Sequence, residues 1–338
     1  MDIRDAIRSA AAHRDIPTTR MEEIMDGLFR GDIPPVAVAG LLVALSMKGE
    51  SAGELAAAVR SMRAHARFVP CPDPKAIDIV GTGGDGAATL NISTAAALVA
   101  AAAGATVAKH GNRAFSSRSG SADVLSCLGV KADTSPERME ICLKDAGIAF
   151  LFAPALHPAA RHTVEARRAI GIRTLFNLCG PLCNPAGVRR GLFGAYSERA
   201  VRIMASAAAE TGLAEHMLFV HGRDGLDEIT LCDKTLVLEV RGAQITEWEL
   251  DPRDYGLQFV AASALTGGEP EDNALAIRRL LSGEASAFRD AVLLSAAAGL
   301  YTAGKAPDIA AALPLARAAL DSGAAATTLE KLARLSQE

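Results

Sequence analysis

The chain has 338 residues, of which half are hydrophobic and 22% are charged, and its formal net charge at pH 7 is −4. This composition is that of an ordinary globular protein, and the length suffices for two packed domains. A mildly acidic chain has no broad basic surface, so binding to a nucleic-acid backbone is disfavoured as its main role.

No segment of the sequence is typical of a secretion signal or a membrane span. Residues 1–5 mix both charges before any apolar run, unlike a signal peptide. The longest run without a charge or strongly polar group, 95–108, is shorter than the roughly 20 residues that a membrane helix needs. The cysteines form no CxxC pair, which indicates reduced thiols without structural zinc: Cys71, Cys127, Cys142, Cys179, Cys183 and Cys232. We therefore expect a cytoplasmic protein with no membrane partner.

The first 68 residues have only helical patterns. Thr19 with Glu22, and Ser51 with Glu54, are spaced as capping boxes at the starts of two helices. Gly31 follows the first of these apolar-periodic runs and predicts its end. We predict a small helical domain over residues 1–68.

A proline-rich linker separates this domain from an alternating pattern of strands and helices. Residues 69–76 contain three prolines between 70 and 74, which exclude a helix and predict a semi-rigid hinge. Strands are predicted near 77–80, 105–109, 148–151, 217–221 and 235–240. The segment 154–185 is predicted helical around 159–170 and irregular afterwards, and residues 272–337 are predicted helical.

The fold class predicted from this pattern is α/β. The larger α/β domain comprises 77–154 and 187–338 and has a central, mostly parallel sheet flanked by helices. The segment 154–185 is too long for a simple crossover, so about 155–186 is predicted to fold back and complete the small domain.

Two phosphate-sized loops follow the first two predicted strands. The first is GTGGDG at 81–86, followed by NIST at 91–94 at the head of an alanine-rich helix, and the second runs from 109 to 123. Glycines let main-chain N–H groups approach an anion, and the start of a helix carries partial positive charge. Lys109, Arg113 and Arg118 add charged donors. Two such loops in succession predict a ligand with phosphates at both ends.

Three other interpretations of the glycines are less consistent with the sequence. Plain strand-to-helix turns explain one loop more easily than two loops with hydroxyls and cations after them. Gly81, Gly83 and Gly86 match a dinucleotide fingerprint, but the second strand ends in Lys109 and His110 instead of the acidic residue that holds a ribose. A nucleoside-triphosphate loop would need GK[ST] after the glycines, and the sequence has none.

Asp227 and Glu228 follow a predicted strand directly. Adjacent carboxylates at the carboxyl end of an α/β strand can bind Mg²⁺, which commonly joins them to substrate phosphates. The alternative is a solvated acidic turn, and the phosphate loops on the same sheet favour the metal.

A cluster of basic side chains lies between 157 and 168. It comprises His157, Arg161, His162, Arg167 and Arg168. The cluster is either a solvated cationic helix face or the source of an arginine that binds the carboxylate of an acidic second substrate. Sequence spacing leaves both open. The sequence has no Ser/His/Asp or Cys/His set, so no residue is predicted as nucleophile or general base.

Five motifs in order along the chain resemble the anthranilate phosphoribosyltransferase family of tryptophan biosynthesis. They are GTGGD at 81–85, NIST at 91–94, KHGNRAFSSRSGSADVLSCLG at 109–129, RRAIGIRTLFNLCGPLCNPA at 167–186 and GLDE at 225–228. The resemblance implies 5-phosphoribosyl 1-diphosphate as donor, anthranilate as acceptor, Mg²⁺ as cofactor, and a homodimer formed through the helical domain. It also implies closure of the helical domain over the donor about the linker.

The resemblance also implies which residues bind the ligands. Ser93, Asp227 and Glu228 would hold Mg²⁺, while Gly81, Asn112 and Arg167 would contact anthranilate. The donor would be held by a larger set of residues from both loops: Gly81, Gly84, Asp85, Thr89, Asn91, Ile92, Ser93, Thr94, Lys109, His110, Gly111, Asn112, Arg113, Ala114, Phe115, Ser116, Ser117 and Ser121.

Departures from the family pattern are mild. Arg118 replaces a common lysine, and Cys179 and Cys183 replace the usual leucine and threonine. Two related interpretations fit the residues less well. A pyrimidine nucleoside phosphorylase would carry a KxSxR-like phosphate loop, and a non-catalytic nucleic-acid-binding relative would have a basic stripe and lack the Asp-Glu pair.

Overall fold

The computed structural model describes residues 2–114 and 118–338. Its helices are α1 Ile3–Ala11, α2 Thr18–Arg30, α3 Pro35–Lys48, α4 Ala52–Ala64, α5 Ile92–Ala102, α6 Ser121–Cys127, α7 Pro136–Ala146, α8 Ala153–Leu156, α9 Arg161–Ile170, α10 Leu175–Leu182, α11 Glu198–Glu210, α12 Pro270–Leu281, α13 Ala287–Thr302, α14 Ile309–Asp321 and α15 Ala324–Gln337. Short 3-10 turns cover Pro158–Ala160, Pro252–Tyr255 and Ala262–Leu265. None of the helices in these two stretches is long and apolar enough to span a bilayer.

Seven strands form one sheet in the order β3-β2-β1-β4-β5-β6-β7. They are β1 Ile77–Gly81, β2 Val107–Gly111, β3 Ile148–Phe152, β4 Arg190–Gly194, β5 His216–Gly222, β6 Thr235–Arg241 and β7 Gln244–Leu250. The first five are parallel, while β6 and β7 are antiparallel additions at one edge. The predicted fold class is confirmed: a helical N-terminal part beside an α/β part with a mostly parallel sheet.

Two strands were missed by the sequence prediction. β4 contains two glycines in five residues, so its sequence lacks a strand pattern, yet it lies between β1 and β5. Gly191 needs to be glycine because a Cβ there would collide with the backbone of Asp78. β7 is a largely exposed edge strand with acidic residues at two alternate positions, so it lacks the apolar run of a buried strand. The segment 154–185 therefore leads to β4 at 190, and β2 begins at 107 instead of 105.

One of the two predicted capping boxes is confirmed and the other is wrong. The Ser51 hydroxyl accepts from the backbone N–H of Glu54 (3.3 Å), whose carboxylate accepts from the N–H of Ser51 (2.9 Å). In contrast, α2 already begins at Thr18 after Pro17 and has no side-chain cap. Thr19 is thus inside the first turn, where its hydroxyl cannot cap. The predicted end of α2 at Gly31, with φ of 82°, is confirmed.

The segment predicted as irregular after residue 170 contains the helix α10. Asn177 Oδ1 accepts from the backbone N–H of Thr174 at 3.0 Å, which supports the start of this helix. α9 and α10 pack against the N-terminal helices α2, α3 and α4. Cys179 and Cys183 are fully buried in that packing. The exact domain boundaries stay a prediction.

The sheet separates two hydrophobic cores. One face, which includes Leu192 and Leu218, packs against α5 and α13. The opposite face, which includes Phe193 and Phe219 with ring centroids 5.4 Å apart, packs against α11 and joins the core of the N-terminal helices. Alternate residues of β4 and β5 thus belong to different cores. The linker contributes Val69, which is fully buried and donates to the carbonyl of Pro185 at 3.2 Å.

Candidate active site

A cleft of about 480 Å³ lies at the carboxyl ends of the parallel strands. Its walls come from the two predicted phosphate loops, the acidic turn after β5, and the segments around α9 and α10. Ligands of open α/β sheets bind at this end because the loops after the strands converge there. The cleft therefore lies between the sheet and the helices that pack with the N-terminal part.

The glycine-rich loop after β1 is held against Asp227. The backbone N–H of Gly83 donates to Asp227 Oδ2 at 2.5 Å. Gly83 and Gly84 have φ of 67° and 76°, values that side chains rarely adopt. A Cβ on Gly81 would collide with the Asp227 carboxylate. The loop therefore needs glycine for its conformation and for its close approach to the acid.

The N-terminus of α5 faces Glu228. The backbone N–H of Ser93 donates to Glu228 Oε1 at 3.2 Å. Asn91, the residue before the helix, makes no side-chain hydrogen bond to the first turn. Its amide instead exchanges hydrogen bonds with Ser119 of the second loop, at 3.2 and 3.4 Å. The two predicted loops are thus in direct contact.

The acidic pair is crowded, with Asp227 buried and Glu228 half-buried at the cleft. Burial, reinforced by Glu228 and Asp85, raises the pKa of Asp227 well above its ordinary value. Burial also raises the pKa of Glu228 to about 7, although Lys109 and Ser93 act in the opposite direction. Asp85 Oδ2 has no hydrogen-bond partner. Since crowded carboxylates repel one another, a cation among them is favourable.

This donor set fits Mg²⁺. Carboxylate and hydroxyl oxygens are its preferred ligands, and it usually keeps several sites for water and substrate phosphate. No cluster of three or more His, Cys, Asp or Glu with metal-binding geometry occurs in the described chain. The oxygens of Ser93, Asp227 and Glu228 would therefore hold the ion together with oxygens from the substrate.

Lys109 is buried below the same loops. Its Nζ donates to the carbonyl of Ile79 at 2.7 Å, and burial lowers its pKa while Asp78 and Glu228 raise it. Burial raises the pKa of Asp78 to about 7, against the opposing effect of Lys109 and Asn184. Asn184 donates to Asp78 Oδ2 at 2.8 Å. Lys109 therefore provides positive charge beneath the acidic pair and the first loop.

Two histidines line the inner wall of the cleft. The rings of His110 and His157 lie 5.2 Å apart. Burial lowers the pKa of His110 to about 3 and that of His157 to about 4, so both are neutral at pH 7. Three of their four ring nitrogens, all except His110 Nδ1, have no hydrogen-bond partner. These atoms are buried from solvent, and the backbone groups of Met62 and Cys183 lie close enough to His157 to oppose the lowering of its pKa.

The basic cluster between 157 and 168 is divided by the fold. His157, Arg161 and Arg167 line the cleft. The Arg167 guanidinium lies 5.2 Å from the ring centroid of Phe176, and burial lowers its pKa. His162 instead packs over Gly31 at the end of α2, and Arg168 is exposed outside the cleft. Helix periodicity alone could not separate these side chains because the neighbouring segments were not known.

Nearly all predicted ligand-binding residues that the structure describes line the cleft. Ile92 is the exception, because its side chain is fully buried in the core beneath α5. Phe115, Ser116 and Ser117 lie outside the described residues. The remaining ones line it together: Gly81, Gly84, Asp85, Thr89, Asn91, Ser93, Thr94, Lys109, His110, Gly111, Asn112, Arg113, Ala114, Ser121, Arg167, Asp227 and Glu228. Their individual roles toward donor, acceptor and metal stay predictions.

Residues without a predicted role also support the cleft. Arg173 donates to the carbonyl of Gly84 at 2.8 Å, and its guanidinium lies 4.3 Å from the ring centroid of Tyr196. It links the α9–α10 segment to the glycine-rich loop. The sequence offered only its place inside a long motif, and no spacing rule connects positions 84 and 173.

Comparison with known proteins identifies the family. The sequence model of the glycosyl transferase family, a/b domain, matches residues 73–326, and that of the helical bundle domain of the same family matches residues 4–66. The anthranilate phosphoribosyltransferase of Rubrobacter xylanophilus is 47% identical over 99% of this chain and 98% of its own. That of Rhodopseudomonas palustris strain TIE-1 is 44% identical over 99% of both. The chain belongs to the anthranilate phosphoribosyltransferase family.

Solved structures of the anthranilate phosphoribosyltransferase family agree with this assignment. The Thermus thermophilus enzyme is 44% identical, covers 99% of this chain and 100% of its own, and superposes with a TM-score of 0.93. The Saccharomyces cerevisiae enzyme in complex with PRPP and Mg is 27% identical, covers 99% and 98%, and has a TM-score of 0.90. Another yeast structure contains 4-fluoroanthranilate, at 25% identity and a TM-score of 0.88.

Proposed function

We infer that the protein transfers the 5-phosphoribosyl group from 5-phosphoribosyl 1-diphosphate to the amine of anthranilate. The products are N-(5-phosphoribosyl)anthranilate and pyrophosphate, in the biosynthesis of tryptophan. The observation that carries the inference is the meeting of two amide-rich loops with one carboxylate pair in a single cleft. Full-length similarity to relatives of that name supports it.

The donor would bind between the two loops. The main-chain N–H groups of the glycine-rich loop and of the α5 N-terminus would hold phosphate oxygens, and Arg113 of the second loop adds charge. Asp227, Glu228 and Ser93 would hold Mg²⁺, which when bound neutralises charge on the leaving pyrophosphate. A yeast relative was solved with PRPP and Mg, which supports this choice of ligand and ion.

The acceptor would bind at the inner wall. Arg167, Asn112 and Gly81 line the cleft, and a guanidinium matches a carboxylate in geometry and charge. A yeast relative was solved with 4-fluoroanthranilate. An arginine close to the partly apolar wall around Phe176 suits a small aromatic acid.

The chemistry needs positioning more than it needs a strong base. The bond between the ribose C1 and pyrophosphate breaks while the bond from C1 to the anthranilate nitrogen forms, and the nitrogen then loses a proton. An aromatic amine is neutral at pH 7 and already nucleophilic. The chain's part is to hold both substrates in line and to place N–H donors and Lys109 where the leaving group gains charge.

Three further features belong to this proposal. The protein would act in the cytoplasm as a homodimer formed through its helical domain. The linker 69–76 would act as a hinge for closure of that domain over the donor. X-ray scattering with and without donor plus Mg²⁺ tests the closure, and superimposable curves would contradict it.

The test of the function is a fluorescence assay of anthranilate consumption. The purified protein with 5-phosphoribosyl 1-diphosphate, anthranilate and Mg²⁺ is expected to consume anthranilate and release equimolar pyrophosphate. Thymidine or uridine with inorganic phosphate serves as the parallel assay for a nucleoside phosphorylase, and no cleavage is expected. Cleavage of nucleoside without consumption of anthranilate would overturn the proposal.

A further inference from the structure

Asn273, near the start of α12, is buried behind the donor loops and does not line the cleft. Only 1% of its surface is exposed, and both ends of its amide are paired. Its Nδ2 donates to Asn91 Oδ1 at 2.8 Å, and its Oδ1 accepts from the backbone N–H of Gly268 at 2.8 Å. A buried, fully paired amide usually holds the geometry of the groups around it.

Asn91 connects Asn273 to the second loop. Besides the bond from Asn273, its Oδ1 accepts from the Ser119 hydroxyl at 3.2 Å, and its Nδ2 donates to the Ser119 carbonyl at 3.4 Å. One asparagine side chain therefore joins the first loop, the second loop and α12. Segments separated by 28 and 182 positions in sequence share this contact.

The backbone before α12 reinforces the same connection. The N–H of Leu90 donates to the carbonyl of Leu265 at 2.9 Å, and the N–H of Gly267 donates to that of Ala88 at 2.8 Å. A Cβ on Gly267 would lie 2.6 Å from the carbonyl oxygen of Thr89, so only glycine allows this approach. Ala88 has a φ of 48°, which is unfavourable for alanine, and its bond to Gly267 helps to hold it.

This arrangement has a consequence for the helix start. An asparagine just before a helix usually accepts from the N–H groups of the first turn. Asn91 does not, because its oxygen is already engaged by Asn273 and Ser119. The N–H groups of the α5 first turn are therefore not covered by their own cap. Ser93 offers its N–H to Glu228, at the site proposed for the metal and donor.

We propose that Asn273 is a positioning residue for the donor site. It withdraws Asn91 from capping α5 and connects the two donor loops to each other, and so holds the α5 N-terminus and the second loop in one arrangement at the donor site. This role rests on the proposed function, because it assumes that the donor binds between these loops. Asn273 itself would contact neither substrate.

The first test uses steady-state kinetics of Asn273→Asp. The carboxylate keeps the acceptor for Gly268 but cannot donate to Asn91 Oδ1. The KM for 5-phosphoribosyl 1-diphosphate is expected to rise about tenfold, the scale of one lost buried hydrogen bond, while the KM for anthranilate changes less than about twofold. Ile277→Val is the matched control, since Ile277 is fully buried on the same helix and its truncation costs packing alone. It is expected to lower the melting temperature and leave both KM values unchanged.

The second test is a double-mutant cycle with Asn91→Ala and Asn273→Ala. If Asn273 acts through Asn91, its replacement raises the donor KM in the wild-type background and has almost no further effect when Asn91 is already alanine. Equal effects in both backgrounds, or a donor KM that Asn273→Asp leaves unchanged, would overturn the proposal. Should Asn273→Ala not fold, Asn273→Asp and Asn273→Ser in the same cycle decide the question. Inactivity of the wild-type protein would contradict the proposed function instead.

Discussion

The buried polar side chains at the two ends of the β-sheet differ in how many of their atoms have a hydrogen-bond partner. At the carboxyl ends of the parallel strands, Asp85, Thr94, His110 and His157 together contribute five of the nine buried side-chain atoms without a partner in the described chain. At the other end, Glu239 Oε1 accepts from Tyr301, Arg241 and His216 at 2.8, 2.8 and 2.9 Å.

The contrast concerns pairing more than burial. His216 is as buried as His157, and it packs edge-on against Tyr301 with ring centroids 4.6 Å apart. None of those nine unpartnered atoms belongs to the Glu239 cluster, within residues 2–114 and 118–338, although Arg190 Nε lies at the same end, at the start of β4 in register with His216. An unpaired buried polar group lowers stability, so we expect the Glu239 cluster to contribute more to the stability of the fold than the polar groups around the cleft do.

The largest expected effect is a loss of turnover when the acidic pair at the carboxyl ends of the strands is removed. Replacing both Asp227 and Glu228 with alanine removes the oxygens proposed to hold Mg²⁺, so turnover at limiting Mg²⁺ is expected to fall at least about 100-fold. Rates are measured across a Mg²⁺ titration. Asp233→Ala removes an exposed carboxylate from the same turn region and is expected to leave the rates within twofold. Unchanged turnover in the double variant would contradict the metal role.

The next prediction concerns the hydrogen-bonded cluster around Glu239, at the opposite end of the sheet. Glu239→Ala leaves His216, Tyr301 and Arg241 without their shared acceptor, and the free energy of unfolding is expected to fall by about 2 kcal/mol. Tyr301→Phe removes a smaller part of the cluster and should cost about 1 kcal/mol. Urea unfolding measures both. The kcat/KM of the folded variants should stay within twofold of wild type. A large loss of activity in a fully folded variant would contradict the prediction that this cluster contributes to stability alone.

The pH dependence of the free energy of unfolding tests whether the buried His157 beside the cleft is neutral. Burial holds the pKa of His157 near 4, beside Arg63 and His110, whereas an unfolded histidine titrates near 6.5. Below about pH 6.5 this histidine binds a proton in the unfolded chain but stays neutral in the folded chain. Its contribution to the free energy of unfolding is therefore present at pH 7 and is lost as the pH falls. The slope from this residue is about 1.4 kcal/mol per pH unit between roughly 6 and 4.

The variant that removes this slope is His157→Gln. The free energy of unfolding, measured in urea at pH 5, 6, 7 and 8, is expected to depend less steeply on pH than in the wild type. His110, whose pKa is lowered to about 3, retains a slope of the same sign in the variant. His13→Gln replaces an exposed histidine and serves as the matched control. If the free energy of unfolding depends on pH equally in His157→Gln and in the wild type, His157 is not held in its neutral form in the folded protein.

The smallest expected effect concerns the support of the first loop. Arg173→Ala removes the donor to the Gly84 carbonyl and the contact with Tyr196, so the loop gains freedom that the donor must then restrict. The KM for 5-phosphoribosyl 1-diphosphate is expected to rise about fivefold. Arg168→Ala is the control, because Arg168 is an exposed arginine in the preceding helix. Equal KM values in the two variants would contradict the proposed support of the first loop by Arg173.

Local patterns predicted most of the loops at the active end. Glycines, hydroxyls and cations in 81–86, 91–94 and 109–123 could be interpreted from physics alone, because each segment builds its part of the site from its own backbone. The NIST motif by itself does not show that the side chain of Ile92 turns into the core. The local patterns also missed β4, whose Gly191 is required by a neighbouring strand more than a hundred positions earlier.

By itself, the sequence determined the alternation of strands and helices, the phosphate-sized loops and the acidic pair. These depend on backbone preferences and charges within a few residues of one another. The tertiary structure decided which arginines of the basic cluster line the cleft, which buried atoms stay unpaired, and that Asn273 reaches Asn91 across 182 positions. Such contacts depend on which surfaces pack together, and packing couples segments whose separation in the chain carries no local signal.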